Sequence, residues 1–249
     1  MNLEYSIDAF HVVRSALSLL RPHDVRGARK IRVGRPFDGG YIMIDAFDEV
    51  EAAFSLGIND DVSWDLDIAQ RDINIFQYDH TIDSLPVKNQ YFHWEKMGIA
   101  AFSSENMRSI TDAVQSSGKI ESKNLLLKCD IECAEWEALR YTSSEILSKF
   151  SQIVIELHDI CRLGDPEDHG VRQALVNLTN SHRVVHIHAN NYGGTRMIGG
   201  IFLPNVVEVT LLRKDMGEFI PSQQKFPTAM DMPCNRAHAD IFLGDFTFS

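Results

Sequence analysis

The sequence predicts an α/β fold in which a mostly parallel, doubly wound sheet carries helices on both faces. Three observations lead to this prediction: the chain is long enough for one substantial core, strand-like and helix-like apolar patterns alternate, and polar turns follow the strand-like runs. Of the 249 residues, 44% are hydrophobic and 24% are charged, which is typical of a folded globular protein. We therefore expect residues 1–249 to form a single domain.

Short apolar runs bounded by turn residues mark the predicted strands. In chain order these runs cover residues 52–56, 73–77, 91–94, 125–129, 153–157, 184–187 and 206–212. Helix-compatible stretches lie between them, at residues 62–71, 107–116, 135–141 and 171–180. Seven strands that alternate with helices predict a Rossmann-like core, which we expect to occupy residues 51–213.

Two further segments flank this core. Apolar residues at helical spacing predict an amphipathic helix over residues 7–20, and the paired glycines of Pro36-Phe-Asp-Gly-Gly40 predict a hairpin within residues 31–44. Together they form an N-terminal helix and hairpin region, residues 1–50. The stretch 214–249 contains prolines and little periodicity, but its apolar end predicts a C-terminal tail packed on the core.

Charge and cysteine usage limit the partners and the compartment. The net charge of −11 repels polyanions, so we expect no nucleic acid and no membrane among the partners. The cysteines lack paired metal-ligand spacing, the first residues lack a secretion-signal pattern, and no apolar run reaches the roughly 20 residues that span a bilayer. We expect a cytoplasmic protein with a small-molecule partner, and the sequence leaves the oligomeric state open.

A turn with one glycine and several acids follows the first predicted core strand. Gly57, Asn59, Asp60 and Asp61 lie between that strand and the next predicted helix, where an open α/β sheet admits a nucleotide-like ligand. Acidic side chains there would repel a pyrophosphate, which disfavours NAD and favours a ligand with a cationic group. The alternative for Asp60, Asp61 or Asp65 is that the carboxylate caps the following helix.

Asp79 ends the second predicted core strand. A carboxylate at this position can accept hydrogen bonds from both ribose hydroxyls of a nucleoside ligand. The alternative is a turn aspartate followed by His80 and Thr81.

Three segments resemble motifs of the FkbM-like methyltransferases, in the branch that carries a DGGY segment. They are Asp38-Gly-Gly-Tyr41, Ser55-Leu-Gly-Ile-Asn-Asp-Asp-Val-Ser-Trp-Asp65 and Leu127-Lys-Cys-Asp-Ile-Glu-Cys-Ala-Glu-Trp-Glu137. The resemblance covers most of the chain from about Arg32 and includes His186-Ile-His-Ala-Asn-Asn191. It implies a seven-stranded class I methyltransferase fold, S-adenosyl-L-methionine (SAM) as cofactor, and O-methylation of a sugar or another small polyhydroxylated metabolite.

Two positions depart from the motifs of that family. Cys133 stands where the third motif has glycine, and Asn59 stands where the first motif usually has a second glycine. These departures leave open a catalytically degenerate methyltransferase fold that acts as a binding module. The full set of expected SAM-binding residues is Gly57, Asn59, Asp60, Asp61, Asp65, Asp79 and Asp130.

Polar side chains follow three predicted strands of the core, whose ends converge at one edge of the sheet. Asp130 follows one strand, His158 ends the next, and a His-x-His-x-Asn-Asn run follows another. We expect these strand ends and the predicted hairpin to bind the acceptor. The residues concerned are Asp38, Tyr41, Glu132, Glu156, His188, Asn190 and Asn191.

Methyl transfer to a hydroxyl needs a group that takes up the proton. His158 is the expected catalytic base because imidazole titrates near neutral pH, whereas Asp130 would need a raised pKa. The alternative is Mg or Mn held by Asp130, Glu156 and His158, which would acidify the acceptor hydroxyl. The same residues, together with His188, also permit a metal-dependent hydrolase, and a polar cluster without metal remains open.

Overall fold

The computed structural model describes residues 6–165 and 167–248. Its α-helices are α1 (Ile7–Leu17), α2 (Ser63–Ala69), α3 (Ile110–Ser116), α4 (Glu135–Tyr141), α5 (Ser144–Leu147) and α6 (His169–Ser181). Its strands are β1 (His23–Val25), β2 (Lys30–Val33), β3 (Tyr41–Ile44), β4 (Ala52–Leu56), β5 (Ile75–Tyr78), β6 (Phe92–Glu95), β7 (Gly98–Ile99), β8 (Met107–Arg108), β9 (Leu125–Cys129), β10 (Phe150–Leu157), β11 (His182–Ala189), β12 (Thr195–Ile198), β13 (Ile201–Pro204), β14 (Val207–Arg213) and β15 (Phe219–Pro221).

A seven-stranded sheet in the order β6-β5-β4-β9-β10-β14-β11 forms the centre of the structure. The five strands from β6 to β10 pair in parallel, and β14 pairs antiparallel with both β10 and β11. The spatial order changes direction between β4 and β9, which is the switch point where open α/β sheets bind ligands. This strand order, with one reversed strand in the last-but-one position, confirms the predicted Rossmann-like methyltransferase fold.

Helices cover one face of the sheet, and the hairpin and α2 cover the other, so the central strands are buried on both sides. Along β9, Leu125 and Leu127 pack in the cluster that contains apolar residues of α1, α4 and α6. Leu126 points the other way, into a cluster with Met43 of β3 and Trp64 of α2. Strands buried on both faces carry continuous apolar runs, which is why these strands were recognisable in the sequence.

The predicted N-terminal helix and hairpin are both present. Helix α1 is extended by a 3₁₀ turn at Ser18–Leu20, and β2 pairs antiparallel with β3. The Gln152 side chain of β10 bonds both the amide and the carbonyl of Ile44, and the Thr210 hydroxyl of β14 donates to the Ile42 carbonyl. These bonds fix the hairpin over β10 and β14.

Some strands are longer than the sequence predicts. Strand β10 begins at Phe150 rather than at residue 153, because Ser151 and Gln152 are buried and bonded although they are polar. The Ser151 hydroxyl donates to the Leu125 carbonyl, and Gln152 is bonded to the hairpin. Polar residues made this segment resemble a loop, whereas long-range hydrogen bonds allow it to join the sheet.

The C-terminal segment packs against the reversed end of the sheet. Phe226 is fully buried, its ring contacts His186 edge-on, and its main chain bridges to Gly244. Phe246 is also buried, whereas Phe242 is 68% exposed. Within the described ranges, no helix is both long and apolar enough to cross a membrane.

Burial of Phe226 predicts that this residue anchors the C-terminal segment. Phe226→Ala should lower the free energy of unfolding by about 3–5 kcal/mol, because a fully buried ring is replaced by a cavity. The matched control Phe242→Ala, in the same segment but exposed, should change it by less than about 0.5 kcal/mol. Denaturant titration measures both values, and equal losses would show that Phe226 does not anchor the segment.

Candidate functional site

Two adjoining cavities open at the carboxyl ends of the parallel strands. The β5-side cavity, about 540 Å³, is lined by residues that include Gly57, Tyr78, Asp79, Ile99 and Met107. The β10-side cavity, about 470 Å³, is lined by residues that include Asp38, Tyr41, Glu156, His158 and Asn190. Four residues line both: Ile58, Asn59, Asp130 and Glu132. Asp130 and its neighbours therefore form the wall between two ligand-sized spaces.

Gly57 makes the tight turn that ends β4. It has φ +80°, and a Cβ at this position would lie 1.7 Å from the Asp130 carbonyl oxygen, so only glycine fits. The Gly57 amide donates to the Tyr78 carbonyl, and the Lys128 ammonium donates to the Gly57 carbonyl at 2.7 Å. Asn59 has φ +51°, a conformation that asparagine tolerates better than most residues, so this departure from glycine preserves the turn.

Asp79 lines the β5-side cavity as expected, but its carboxylate is already committed to the turn. One oxygen accepts from the Ile58 and Asn59 amides at 2.8 Å, and the other accepts from the Thr81 amide and hydroxyl. Burial alone would raise the pKa of Asp79, but these hydrogen bonds outweigh it and hold the pKa below its ordinary value. Asp79 clamps the Gly57–Asn59 turn, and a ribose hydroxyl would compete with these bonds.

The three other acids near this turn have different surroundings. Asp60 and Asp61 line the β10-side cavity rather than the β5-side cavity. Asp61 accepts from the Ser63 amide at the start of α2 and pairs with Arg35 at 3.2 Å. Asp65, also expected to bind SAM, is fully buried, lines neither cavity and accepts from the Gln77 side chain.

One imidazole lies among four carboxylates at the wall of the β10-side cavity. His158 Nδ1 is 3.1 Å from Glu135 Oε1, which also accepts from the His158 amide at 2.7 Å. His158 Nε2 faces Glu156 Oε2 at 3.3 Å, Glu132 Oε2 at 3.5 Å and Asp130 Oδ1 at 3.8 Å. The expected convergence of these strand ends is therefore present.

These surroundings change the protonation state expected for His158 and give Asp130 the raised pKa that a base would need. Burial by itself lowers the pKa of His158, but the bonds and charges of Glu135 and Glu156 outweigh it and raise the pKa to about 11. With only protein groups around it, this imidazole is protonated at neutral pH, which is the opposite of what a general base requires. Burial and the Glu156 charge raise the pKa of Asp130 to about 7.

The predicted hairpin roofs the β10-side cavity. Asp38 and Gly39 of its turn and Tyr41 of β3 line this space. Burial raises the pKa of the Asp38 carboxyl and raises that of the buried Tyr41 hydroxyl well above its ordinary value. The tyrosine is therefore a neutral hydrogen-bonding group at physiological pH.

Polar residues at the end of β11 and just after it have two kinds of partner: some line the β10-side cavity, and others bond to β14 or to the C-terminal segment. Asn190 lines the β10-side cavity and donates to Glu156 Oε1 at 2.5 Å. His188 and Asn191, which were also expected to bind the acceptor, do not line this cavity. Asn191 exchanges hydrogen bonds with the Asn235 main chain, and His188 lies between Glu208, at 2.7 Å, and Asp240, at 3.0 Å.

Two lining residues were not predicted from the sequence. Arg35 and Lys128 line the β10-side cavity, as do Tyr192 and Gly193 of the loop after β11. Lys128 had a recognisable signal, because a lysine inside the apolar run of β9 is unusual unless it has a partner. Glu135 also had one, as a carboxylate on the inward-facing side of α4, but its partner on β10 could not be read from local pattern.

Cys133 has an unusual main-chain conformation and lines neither cavity. It has φ +77° and follows Glu132 at φ +53°, so two consecutive side-chain-bearing residues adopt the left-handed region. This region favours glycine, so a cysteine there is under backbone strain. Cys133 is exposed and lines neither cavity, so its effect is backbone strain.

Comparisons with known proteins show no family. The sequence matches no family model and no curated protein. A putative hemolysin from Streptococcus thermophilus is 10% identical with a TM-score of 0.37, over 67% of this chain and 61%, less than two thirds, of that chain. A fibrillarin/Nop5p complex gives 12% identity and a TM-score of 0.37, over 66% of this chain and 72% of that chain. The fold class rests on the strand order of the sheet itself.

The strain at Cys133 predicts that glycine is the more stable residue there. Cys133→Gly should be more stable than Cys133→Ala by about 1 kcal/mol, because alanine keeps the Cβ that disfavours φ +77°. Thermal and denaturant unfolding of the two variants measure the difference. An alanine variant as stable as the glycine variant would show that the left-handed conformation stores no strain.

Proposed function

We propose that this chain is a SAM-dependent methyltransferase of the FkbM-like kind, which methylates a hydroxyl of a sugar or another small polyhydroxylated metabolite. The observation that carries the proposal is the pair of cavities that share Asp130 at the switch point of the sheet. Methyl transfer needs a cofactor and an acceptor held side by side with their reacting atoms in line. Two adjoining cavities with a common wall supply that arrangement.

The β5-side cavity fits SAM better than it fits a dinucleotide. Its volume suits a nucleoside-sized ligand, and Tyr78, Ile99 and Met107 give it an apolar part. Asp130 and Glu132 at the shared wall favour a cationic group, and none of the described residues that line the cavity is Lys or Arg. A pyrophosphate would therefore meet no ammonium or guanidinium group among those residues. Bound SAM would supply an activated methyl group beside the second cavity.

The β10-side cavity fits a polyhydroxylated acceptor. Carboxylates, the Asn190 amide and the Tyr41 hydroxyl offer hydrogen-bond donors and acceptors at its wall. Tyr192 is 63% exposed at its edge, where an aromatic ring can pack against the apolar face of a sugar. Both cationic side chains at the wall already have partners, because Arg35 pairs with Asp61 and Lys128 donates to the Gly57 carbonyl. A hydroxyl of the bound substrate therefore meets mainly carboxylates and other oxygens that accept hydrogen bonds.

A divalent metal is the better-supported route for activating the acceptor hydroxyl. The donor atoms of Asp130, Glu156 and His158 lie within 4.8 Å of one another. His158 would need to be unprotonated to act as a base, whereas its carboxylate neighbours favour a positive charge at this place. Mg or Mn held there would lower the pKa of a bound hydroxyl. A metal-dependent hydrolase would leave the β5-side cavity without a role.

The two departures that suggested a catalytically degenerate fold, at Asn59 and Cys133, do not disrupt either cavity. Asn59 preserves the turn after β4, and Cys133 lies outside both cavities.

We also propose one domain, a cytoplasmic location and a small-molecule partner, with neither nucleic acid nor membrane bound. The free state of all four cysteines supports the cytoplasmic location, and the net charge of −11 supports the absence of nucleic acid and anionic membrane among the partners.

Calorimetric titration with SAM, S-adenosylhomocysteine and NAD tests the cofactor. We expect micromolar affinity for the first two ligands and no binding of NAD. Asp79→Asn should weaken SAM binding by about tenfold or more, because an amide nitrogen cannot accept the hydrogen bonds that hold the turn. The control Asp83→Asn changes an exposed acid and should bind as the parent protein does. NAD binding, or no SAM binding, would contradict the proposal.

A further inference from the structure

We infer that Glu132 and Glu135 complete a divalent-metal centre at His158. In this centre His158 Nε2, Asp130, Glu156 and Glu132 are ligands, and Glu135 is a positioning residue whose Oε1 is bonded to His158. The role of the metal in acceptor activation rests on the proposed function. Its binding does not, because the donor atoms belong to the chain alone.

The spacing of the donor atoms matches a bound cation. Ligand atoms about 2.1 Å from a metal, at angles between 90° and tetrahedral, are separated from one another by roughly 3.0–3.4 Å. From His158 Nε2 the carboxylate oxygens lie at 3.3 Å for Glu156, 3.5 Å for Glu132 and 3.8 Å for Asp130. These separations are long for hydrogen bonds but within a few tenths of an ångström of the coordination distances.

Two ligands are oriented from behind by a second polar group. Glu135 is fully buried, and its Oε1 accepts from both the amide and Nδ1 of His158. A hydrogen on Nδ1 leaves the Nε2 lone pair directed into the cavity, which is how carboxylates orient metal-binding histidines. Asn190 likewise bonds Oε1 of Glu156 and leaves Oε2 facing Nε2.

Glu132 is the ligand at the mouth of the cavity. Its side chain is 86% exposed, yet its carboxylate reaches back to 3.5 Å from His158 Nε2. The left-handed main chain at Glu132, φ +53°, is the kind of strained conformation that concentrates at functional sites. An exposed ligand on a turn can exchange with an incoming acceptor, whereas Asp130, Glu156 and His158 stay fixed on strand ends.

The chemistry of the donor set selects the metal. Three carboxylates and one imidazole favour a hard cation that also accepts nitrogen, which points to Mn²⁺ ahead of Mg²⁺ or Ca²⁺. Four carboxylates around one imidazole also leave an excess of negative charge in a partly buried place. A divalent cation offsets that charge, which otherwise costs desolvation energy.

Electron paramagnetic resonance of the 249-residue chain titrated with Mn²⁺ tests the centre. We expect one tightly bound ion per chain, lost in His158→Ala. Glu135→Gln keeps an oxygen for the His158 amide but loses the charge, so it should weaken Mn²⁺ binding by about 10–100-fold. Glu132→Gln should weaken it as well. The control Glu137→Gln, on the same helix as Glu135 but paired with Arg140 at the surface, should bind as the parent does.

The outcomes separate this inference from the proposed function. No bound Mn²⁺ in the parent protein, or parent-like affinity in both Glu135→Gln and Glu132→Gln, would overturn the metal centre. Titration of SAM in the presence of chelator reports the cofactor site independently. Bound Mn²⁺ without SAM binding would refute the methyltransferase proposal and leave the metal centre standing, and a circular dichroism spectrum identifies any variant that fails to fold.

Discussion

The close approach of Gly57 to the Asp130 main chain determines the geometry of the whole site. The Asp130 amide donates to the Leu56 carbonyl, and its own carbonyl occupies the space that a side chain at residue 57 would need. This contact joins the ends of β4 and β9 at the switch point of the sheet. As a result, the Asp130 carboxylate lies on the wall between the two cavities, and the residues of β5 and β10 lie on opposite sides of it.

The four carboxylates around His158, those of Asp130, Glu132, Glu135 and Glu156, determine the chemistry open to its imidazole. They surround the imidazole closely enough to raise its pKa and favour its protonated form, which disfavours base catalysis by His158 alone. They also create the negative, preorganised pocket that a divalent cation requires. In the proposed metal centre a cation would replace the proton at Nε2, and the bond from Nδ1 to Glu135 would leave that nitrogen free to bind it.

The apolar patterns of the sequence predicted several strands and helices of the core correctly. Strands β4 and β9 and helix α4 have the predicted bounds, and the convergence of Asp130 with His158 follows from parallel strands ending at one edge. The pattern could not reveal that His188 faces Asp240, 52 residues later in the chain. It also could not show that the first turn of α2 directs Asp65 inward to Gln77, because helix phase depends on how the helix packs.

The position of the cofactor methyl group relative to the metal tests the two-cavity arrangement most directly. SAM with a carbon-13-labelled methyl group can be bound to protein loaded with Mn²⁺ or with diamagnetic Mg²⁺, and its methyl signal compared by NMR. Because the proposed SAM and Mn²⁺ sites share Asp130, the account predicts that the signal is strongly broadened in the Mn²⁺ sample only. An unchanged methyl signal with both SAM and Mn²⁺ bound would contradict a shared wall between cofactor and acceptor.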